Sequence, residues 1–320
     1  MHEPTYRQAI SHSWKLAWHH KSLWLFGFLA AFLGQMGITE ILGKISFPGT
    51  DLALRGNAFF WQLLKNLSQV SMPLSEWVWL CWMLLVLFAL GFILVTLSVI
   101  SQGALVRASA QWAKNEKLPD ASKSWHAGAT NFWRLLFLNI LRKVVICALV
   151  CFVCWGVWQS VIYGDTVLRL LLVLLTFVVA ALLGMFVSFL SIYTAGYIVV
   201  ENYPLSWALS SAWKMFVKHW LVSFEVGFIV LGLNILMSLV VLLGLFVLFI
   251  PALLTWFITI FANNSVLWFL GSIVSPFLFF ILVVWLGSVF TVFSTSVWTY
   301  LFMKMHRGGI ISRIMHIFRK

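Results

Sequence analysis

The sequence predicts an all-α polytopic membrane protein: six transmembrane helices in three repeats, each an interfacial amphipathic helix followed by a helical hairpin. Three observations carry that prediction. Hydrophobic residues make up 62% of the 320 positions and charged residues 9%; soluble domains have roughly 45–50% and about 25%. Such a chain lacks the polar surface to cover a water-soluble fold. Its basic residues collect on one side of the apolar runs, and a Trp-Lys-x4-His pattern recurs along it.

A bilayer span needs about 20 mostly apolar residues, and runs of that kind lie at 22–38, 77–101, 132–161, 166–200, 218–250 and 265–303. The first is short and the second is uninterrupted. The third contains Arg142 and Lys143. The last three exceed 30 residues, so they must tilt or project beyond the bilayer. Pro276 in the sixth predicts a kink, because its ring nitrogen carries no hydrogen. Residues 39–76 read as an extracytoplasmic loop, with turn chemistry at Phe47-Pro48-Gly49-Thr50-Asp51 and a candidate interfacial helix from Asn57 to Val70. The other outer connections, near 162–166 and 251–264, are short. The chain 1–320 thus reads as a single membrane domain, with repeat units at about 4–101, 119–200 and 204–303 and a basic tail over 304–320.

Orientation follows from the 21 Lys and Arg. Fifteen, counting Arg134 at its border, fall in the N-terminal segment, the 102–131 and 201–219 connections and the tail. Only Lys44, Arg55, Lys65 and Arg169 fall on the opposite side, and Arg142 and Lys143 stay within a span. Positive charge is retained in the cytoplasm, so both termini are expected there. The net charge of +12 suits loops held at anionic headgroups rather than nucleic acid. The 19 Trp and 29 Phe fit the same reading, because Trp favours the headgroup boundary. About twenty polar and aromatic residues precede the first run, which predicts a retained anchor rather than a cleaved signal.

The repeat is read from tryptophan. Ser13-Trp14-Lys15 is followed, after four residues, by His20, and Ala212-Trp213-Lys214 by His219. Between them, Ser124-Trp125-His126 is followed by Asn131 at the same spacing. Each unit begins near a proline (Pro4, Pro119, Pro204) and runs directly into an apolar span. In the third copy Leu205, Ala208, Leu209, Ala212, Trp213 and Phe216 recur at three- and four-residue spacing and share one helical face. Ile10, Trp14, Ala17 and Trp18 do the same in the first. Lys214 and Lys218 flank that face, placed to snorkel to lipid phosphates. The segments Pro204-Leu205-Ser206-Trp207-Ala208-Leu209-Ser210-Ser211-Ala212-Trp213-Lys214 and Thr130-Asn131-Phe132-Trp133-Arg134-Leu135-Leu136 resemble the bacterial membrane domain attached to some glycerophosphoryl diester phosphodiesterases. The resemblance covers most of the chain and implies a six-helix module of the bacterial inner membrane. It implies no phosphodiesterase activity.

No residue set points to catalysis. His306-Arg307-Gly308 matches the tripeptide that opens the catalytic barrel of those phosphodiesterases, but only twelve residues follow it, and a (β/α)8 barrel needs about 250. Cys147, Cys151 and Cys154 have a cluster-like spacing but fall on one face of an apolar helix, where thiols behave as small hydrophobes; Cys81 is likewise apolar. His12, His19, His20, His126 and His219 gather at expected cytoplasmic boundaries, with too few carboxylates near them in topology for a metal site. No metal or cofactor is therefore expected. Intramembrane polar residues remain: Glu225, Arg142, Lys143, Asn139 and Asn234, with Gln35. Ionisable groups in hydrocarbon usually pair, which predicts Glu225 against Arg142 or Lys143. The expected function is non-enzymatic. Trp14, Lys15, His20, Trp125, Trp213, Lys214 and His219 are the expected contacts to anionic lipid headgroups, or to a membrane protein partner. The alternative is a small-molecule or lipid permease using Glu225 and Arg142.

Overall fold

The computed structural model describes residues 5–31, 74–115, 120–163, 167–262 and 270–306. Every element among them is helical: α1 (Thr5–His19), α2 (Leu23–Ala31), α3 (Leu74–Asn115), α4 (Ala121–Thr130), α5 (Phe132–Tyr163), α6 (Val167–Val200), α7 (Leu205–Lys218), α8 (Trp220–Ala262) and α9 (Ser275–His306), the last preceded by a π-helical turn over Leu270–Val274. Among the described residues, five segments are long and apolar enough to cross a membrane: Trp77–Lys114, Phe132–Gln159, Leu171–Val200, Trp220–Thr259 and Ser272–His306. The architecture is that of a multi-pass helical membrane protein. Of the expected first span, α2 supplies nine residues; the rest of it, the loop through 73 and the tail from 307 lie outside the described residues.

Three helix boundaries differ from the hydropathy reading. Residues 102–115, expected in a connection, continue α3 to Asn115. They carry no breaker, and Gly103, Ala104, Ala108, Ser109 and Ala110 are small enough for another helix to approach closely. The connection expected at 251–264 is helical as far as Ala262, with Pro251 inside α8. A single proline leaves a helix intact when neighbouring groups re-satisfy the freed carbonyl. Pro276 is the second residue of α9, directly after the π turn. Its missing N–H falls where the hydrogen-bond ladder changes register.

The chain divides into two compact units. The first comprises Met1–Phe32, Ser98–Leu135 and Ile192–Lys320. In it α1 and α2 pack on α9. The Ser288 hydroxyl donates to the Trp24 carbonyl, the Ser98 hydroxyl donates to the Leu29 carbonyl at 2.6 Å, and a Cβ on Gly27 would meet the Ser288 carbonyl at 2.5 Å. Gly128 of α4 lies against the backbone of Ile100 and Ala104, and Gly103 lies against Gly128. Tyr193, fully buried, bonds through its hydroxyl to that of Ser223 at 2.7 Å. The core of this unit is rich in small polar residues, among them Ser98, Ser101, Ser109, Ser288, Ser294 and Ser296. The Ser98 and Ser288 hydroxyls are satisfied by carbonyls of α2, whereas those of Ser101 and Ser109 are buried without a hydrogen-bond partner among the described residues. The second unit comprises Leu33–Leu97 and Leu136–Ser191; most of its described side chains are exposed aliphatic and aromatic groups suited to lipid.

Candidate functional site

The three tryptophan-bearing segments are all helices that stop just before a second helix. α4 ends at Thr130 and α5 begins at Phe132; α7 ends at Lys218 and α8 begins at Trp220. The residues at the breaks are Asn131 and His219, and His20 holds the matching place after α1. Each closes one helix and opens the next. The His219 N–H donates to the Met215 carbonyl at 3.0 Å, while its own carbonyl accepts from the Ser223 N–H at 3.1 Å. The His20 N–H donates to the Leu16 carbonyl at 3.2 Å, and its carbonyl accepts from the Leu23 N–H at 3.0 Å.

Buried positions also correspond. α1 buries Ala9, Ser13, Leu16 and Ala17, and α7 buries Ala208, Ala212, Met215 and Phe216, each 199 positions later. α4 buries Ser124 and Gly128, which align with Ser13 and Ala17 when Trp125 is matched to Trp14. Trp14 and Trp213 stand off this buried stripe: they are 53% and 50% exposed. Small residues let α1 and α7 approach their neighbours, and the bulky indoles turn outward, where an amphipathic ring is stable at a headgroup boundary. Trp125 differs again, half-buried and stacked on Phe26 with centroids 6.1 Å apart.

Two cavities adjoin these helices, both within the first unit. One, of about 580 Å³, is lined by Gln8, Ser11, His12, Lys15, His19, His20, Trp112 and Tyr300. The other, of about 290 Å³, is lined by Tyr197, Ser211, Lys214, Met215, Lys218, His219, Met305 and His306. Among the described residues neither lining contains a carboxylate, though Glu201 stands behind His306 in the second. In the first, the Trp112 indole lies 5.0 Å from the His20 ring and 5.7 Å from the His12 ring, and its buried N–H has no hydrogen-bond partner. His12 also packs on Tyr300 at 4.9 Å. In the second, His306 sits against Tyr197 and Phe302, with its Nε2 3.7 Å from a Glu201 oxygen. Burial, and then the neighbouring His19, holds the His20 pKa below its ordinary value. Burial, and then Lys218, does the same to His219.

Of the residues expected to contact headgroups, Lys15 and His20 line the first cavity and Lys214 and His219 the second. The sequence reading placed His12 and His19 at the boundary and missed Trp112, Tyr300, Tyr197 and His306 as walls, because those come from helices distant in sequence. The middle copy is committed elsewhere. Asn131 is buried and donates to the Ala127 carbonyl at 3.2 Å, while Arg134 donates to its side-chain oxygen at 3.3 Å and to that of Asn202 at 2.8 Å. The intramembrane polar residues separate by environment. Arg142 and Asn139 are 3% and 4% exposed, whereas Lys143 is exposed. Glu225 and Asn234 are half-buried on α8. All four cysteines are free and exposed on their helices. Among the described residues no three His, Cys, Asp or Glu side chains gather closely enough to hold a metal ion. Comparison with protein-family models, with curated proteins and with solved structures finds no match.

Proposed function

We propose that the protein is a non-enzymatic module of a bacterial inner membrane that spans it six times, keeps both termini in the cytoplasm, and binds anionic lipid headgroups through α1, α4 and α7. On this reading the three helices head three equivalent units, each followed by a hairpin of spans. The resemblance to phosphodiesterase-linked membrane domains supports the six-span count, and the distribution of Lys and Arg supports the orientation. The observation that carries the reading is the recurring face. Helices α1 and α7 bury the same four register positions and leave Trp14-Lys15 and Trp213-Lys214 exposed, an amphipathic arrangement that suits the bilayer boundary.

Extraction in native nanodiscs tests it. The lipid that travels with the protein should be richer in anionic headgroups than the membrane it came from, and a Trp14→Ala, Trp213→Ala double variant should lose part of that enrichment. Co-purified lipid of bulk composition would end the proposal. A second reading, a permease using Glu225 and Arg142, is favoured by the near-complete burial of Arg142 within an apolar span. It requires that Glu225→Gln or Arg142→Gln abolish a solute flux in proteoliposomes.

A further inference from the structure

The two cavities share more than their basic character. His12, Lys15, His19 and His20 line the first, and Ser211, Lys214, Lys218 and His219 line the second. Every one of these four pairs is separated by the same 199 positions that relate the buried stripes of α1 and α7. The second walls are unrelated in sequence yet similar in kind: Trp112 and Tyr300 for one, Tyr197 and His306 for the other. Both cavities use the last turns of α9. We infer that the two cavities are repeat-related binding sites for one chemical class of ligand, a phosphate-bearing anion, with Lys15 and His20 in the first corresponding to Lys214 and His219 in the second.

The donor inventory selects phosphate. Among the described residues the first cavity offers an ammonium, three imidazoles, an amide and two hydroxyls, and no carboxylate lines it. That is more than the two oxygens of a carboxylate can accept, whereas a phosphate group has three or more acceptor oxygens. Basic side chains also stand side by side at both sites: His20 beside His19, and His219 beside Lys218. Burial first, and then these neighbours, hold the His20 and His219 pKa values down, and a bound anion would favour the protonated form of both imidazoles. The volumes set a difference in size. About 580 Å³ lies within the range of small-molecule pockets, roughly 300–1,000 Å³, and holds a phosphate with an attached group. About 290 Å³ falls at the bottom of that range and suits the phosphate with little more.

This inference rests on the headgroup reading for its biological source, but not for its chemistry, and the experiment keeps the two apart. The full chain in detergent is titrated with inorganic phosphate by calorimetry. The same protein in nanodiscs of phosphatidylcholine doped with phosphatidic acid is examined by native mass spectrometry for retained anionic lipid. Lys15 and Lys214 are both exposed, so Lys15→Gln and Lys214→Gln remove charge without a packing cost. Two phosphates per wild-type chain are expected, with each single variant weakening one site about tenfold or more and the double variant weakening both. Retained phosphatidic acid that free phosphate does not displace identifies a lipid source; displacement identifies a soluble one. Unchanged phosphate binding in the double variant overturns the inference, as does a single site lost to Lys15→Gln alone. Anionic-lipid enrichment that survives in the double variant leaves the headgroup reading standing and removes the cavities from it. Wild-type protein without enrichment but with two lysine-dependent phosphate sites does the reverse.

Discussion

Helix α3 changes character along its length. From Trp77 to Val95 nearly every side chain is exposed, large and apolar; from Ser98 to Ala110 every residue but Ile100 and Arg107 is buried. The buried stretch is the less apolar of the two, with Gln102 and Arg107 in it, so hydropathy alone does not identify the part of a helix that meets protein. Residue size does. The exposed stretch is built from Leu, Phe, Trp and Met. The buried one alternates Ser, Gly and Ala with Leu and Val, and in a membrane close packing of small residues substitutes for the hydrophobic effect that draws soluble helices together.

The sharpest way to break this contrast is a pair of glycine substitutions. A Cβ on Gly128 would run into the backbone of Ile100, and one on Gly103 would meet the Gly128 Cα at 2.8 Å, while one on Gly91 has nothing within 4 Å. Backbone atoms have little room to yield. Gly128→Val or Gly103→Val is expected to cost about 3 kcal/mol or more and Gly91→Val little, read as thermal unfolding in detergent. Equal effects would mean that α3 is uniformly exposed.

A comparable contrast holds within α5. Arg142 is 3% exposed and engaged by its surroundings, and its neighbour Lys143 is exposed. Arg142→Gln should destabilise by about 3 kcal/mol, and Lys143→Gln by a few tenths of a kcal/mol at most. A smaller loss is expected for Tyr193→Phe, which removes the hydroxyl bonded to Ser223: about 1 kcal/mol in the same assay. On the lipid-facing stretch, Leu87→Ala should fall within about 0.5 kcal/mol of wild type.

The smallest effect is one of pH. His20 and His219 have folded-state pKa values below the ordinary histidine value, so the unfolded chain takes up protons first. Stability is then full above about pH 6.5 and declines as pH falls through that value toward the folded pKa of each group. The other titratable groups facing the first cavity are His12, Lys15, His19 and Tyr300. Phosphate should flatten the decline, because an anion favours protonated imidazole. A transition temperature that falls on acidification in the His20→Gln, His219→Gln double variant by as much as in wild type would remove these two residues from the effect.

Much of this fold is legible in the sequence. The helices at Thr5–His19, Ala121–Thr130 and Leu205–Lys218 coincide with the segments read from the Trp-Lys pattern, because proline and polar residues bracket each one locally. Which positions of these helices are buried was not legible, because an apolar stripe that faces lipid and one that faces protein recur at the same spacing. Helix α3 was cut short because Gln102 and Arg107 look like a loop when their neighbours are unknown. The cavities were half legible: Lys15, His20, Lys214 and His219 stand in the recurring Trp-Lys-x4-His pattern, but Trp112, Tyr300, Tyr197 and His306 approach from helices that no local pattern connects to it.

The seating of α2 on α9 has a consequence for synthesis. The hydrogen bond from Ser288 to Trp24 joins positions 264 residues apart. At about 5–20 residues per second, the first helices made must wait roughly 13–50 s for the last one to arrive. Throughout that interval α1 and α2 have only their contacts to α3 and α4, and the notch at Gly27 lacks the α9 backbone that fills it. The seat of the N-terminal segment is thus completed last, and truncations that remove α9 should leave a chain that inserts but is cleared by membrane proteases.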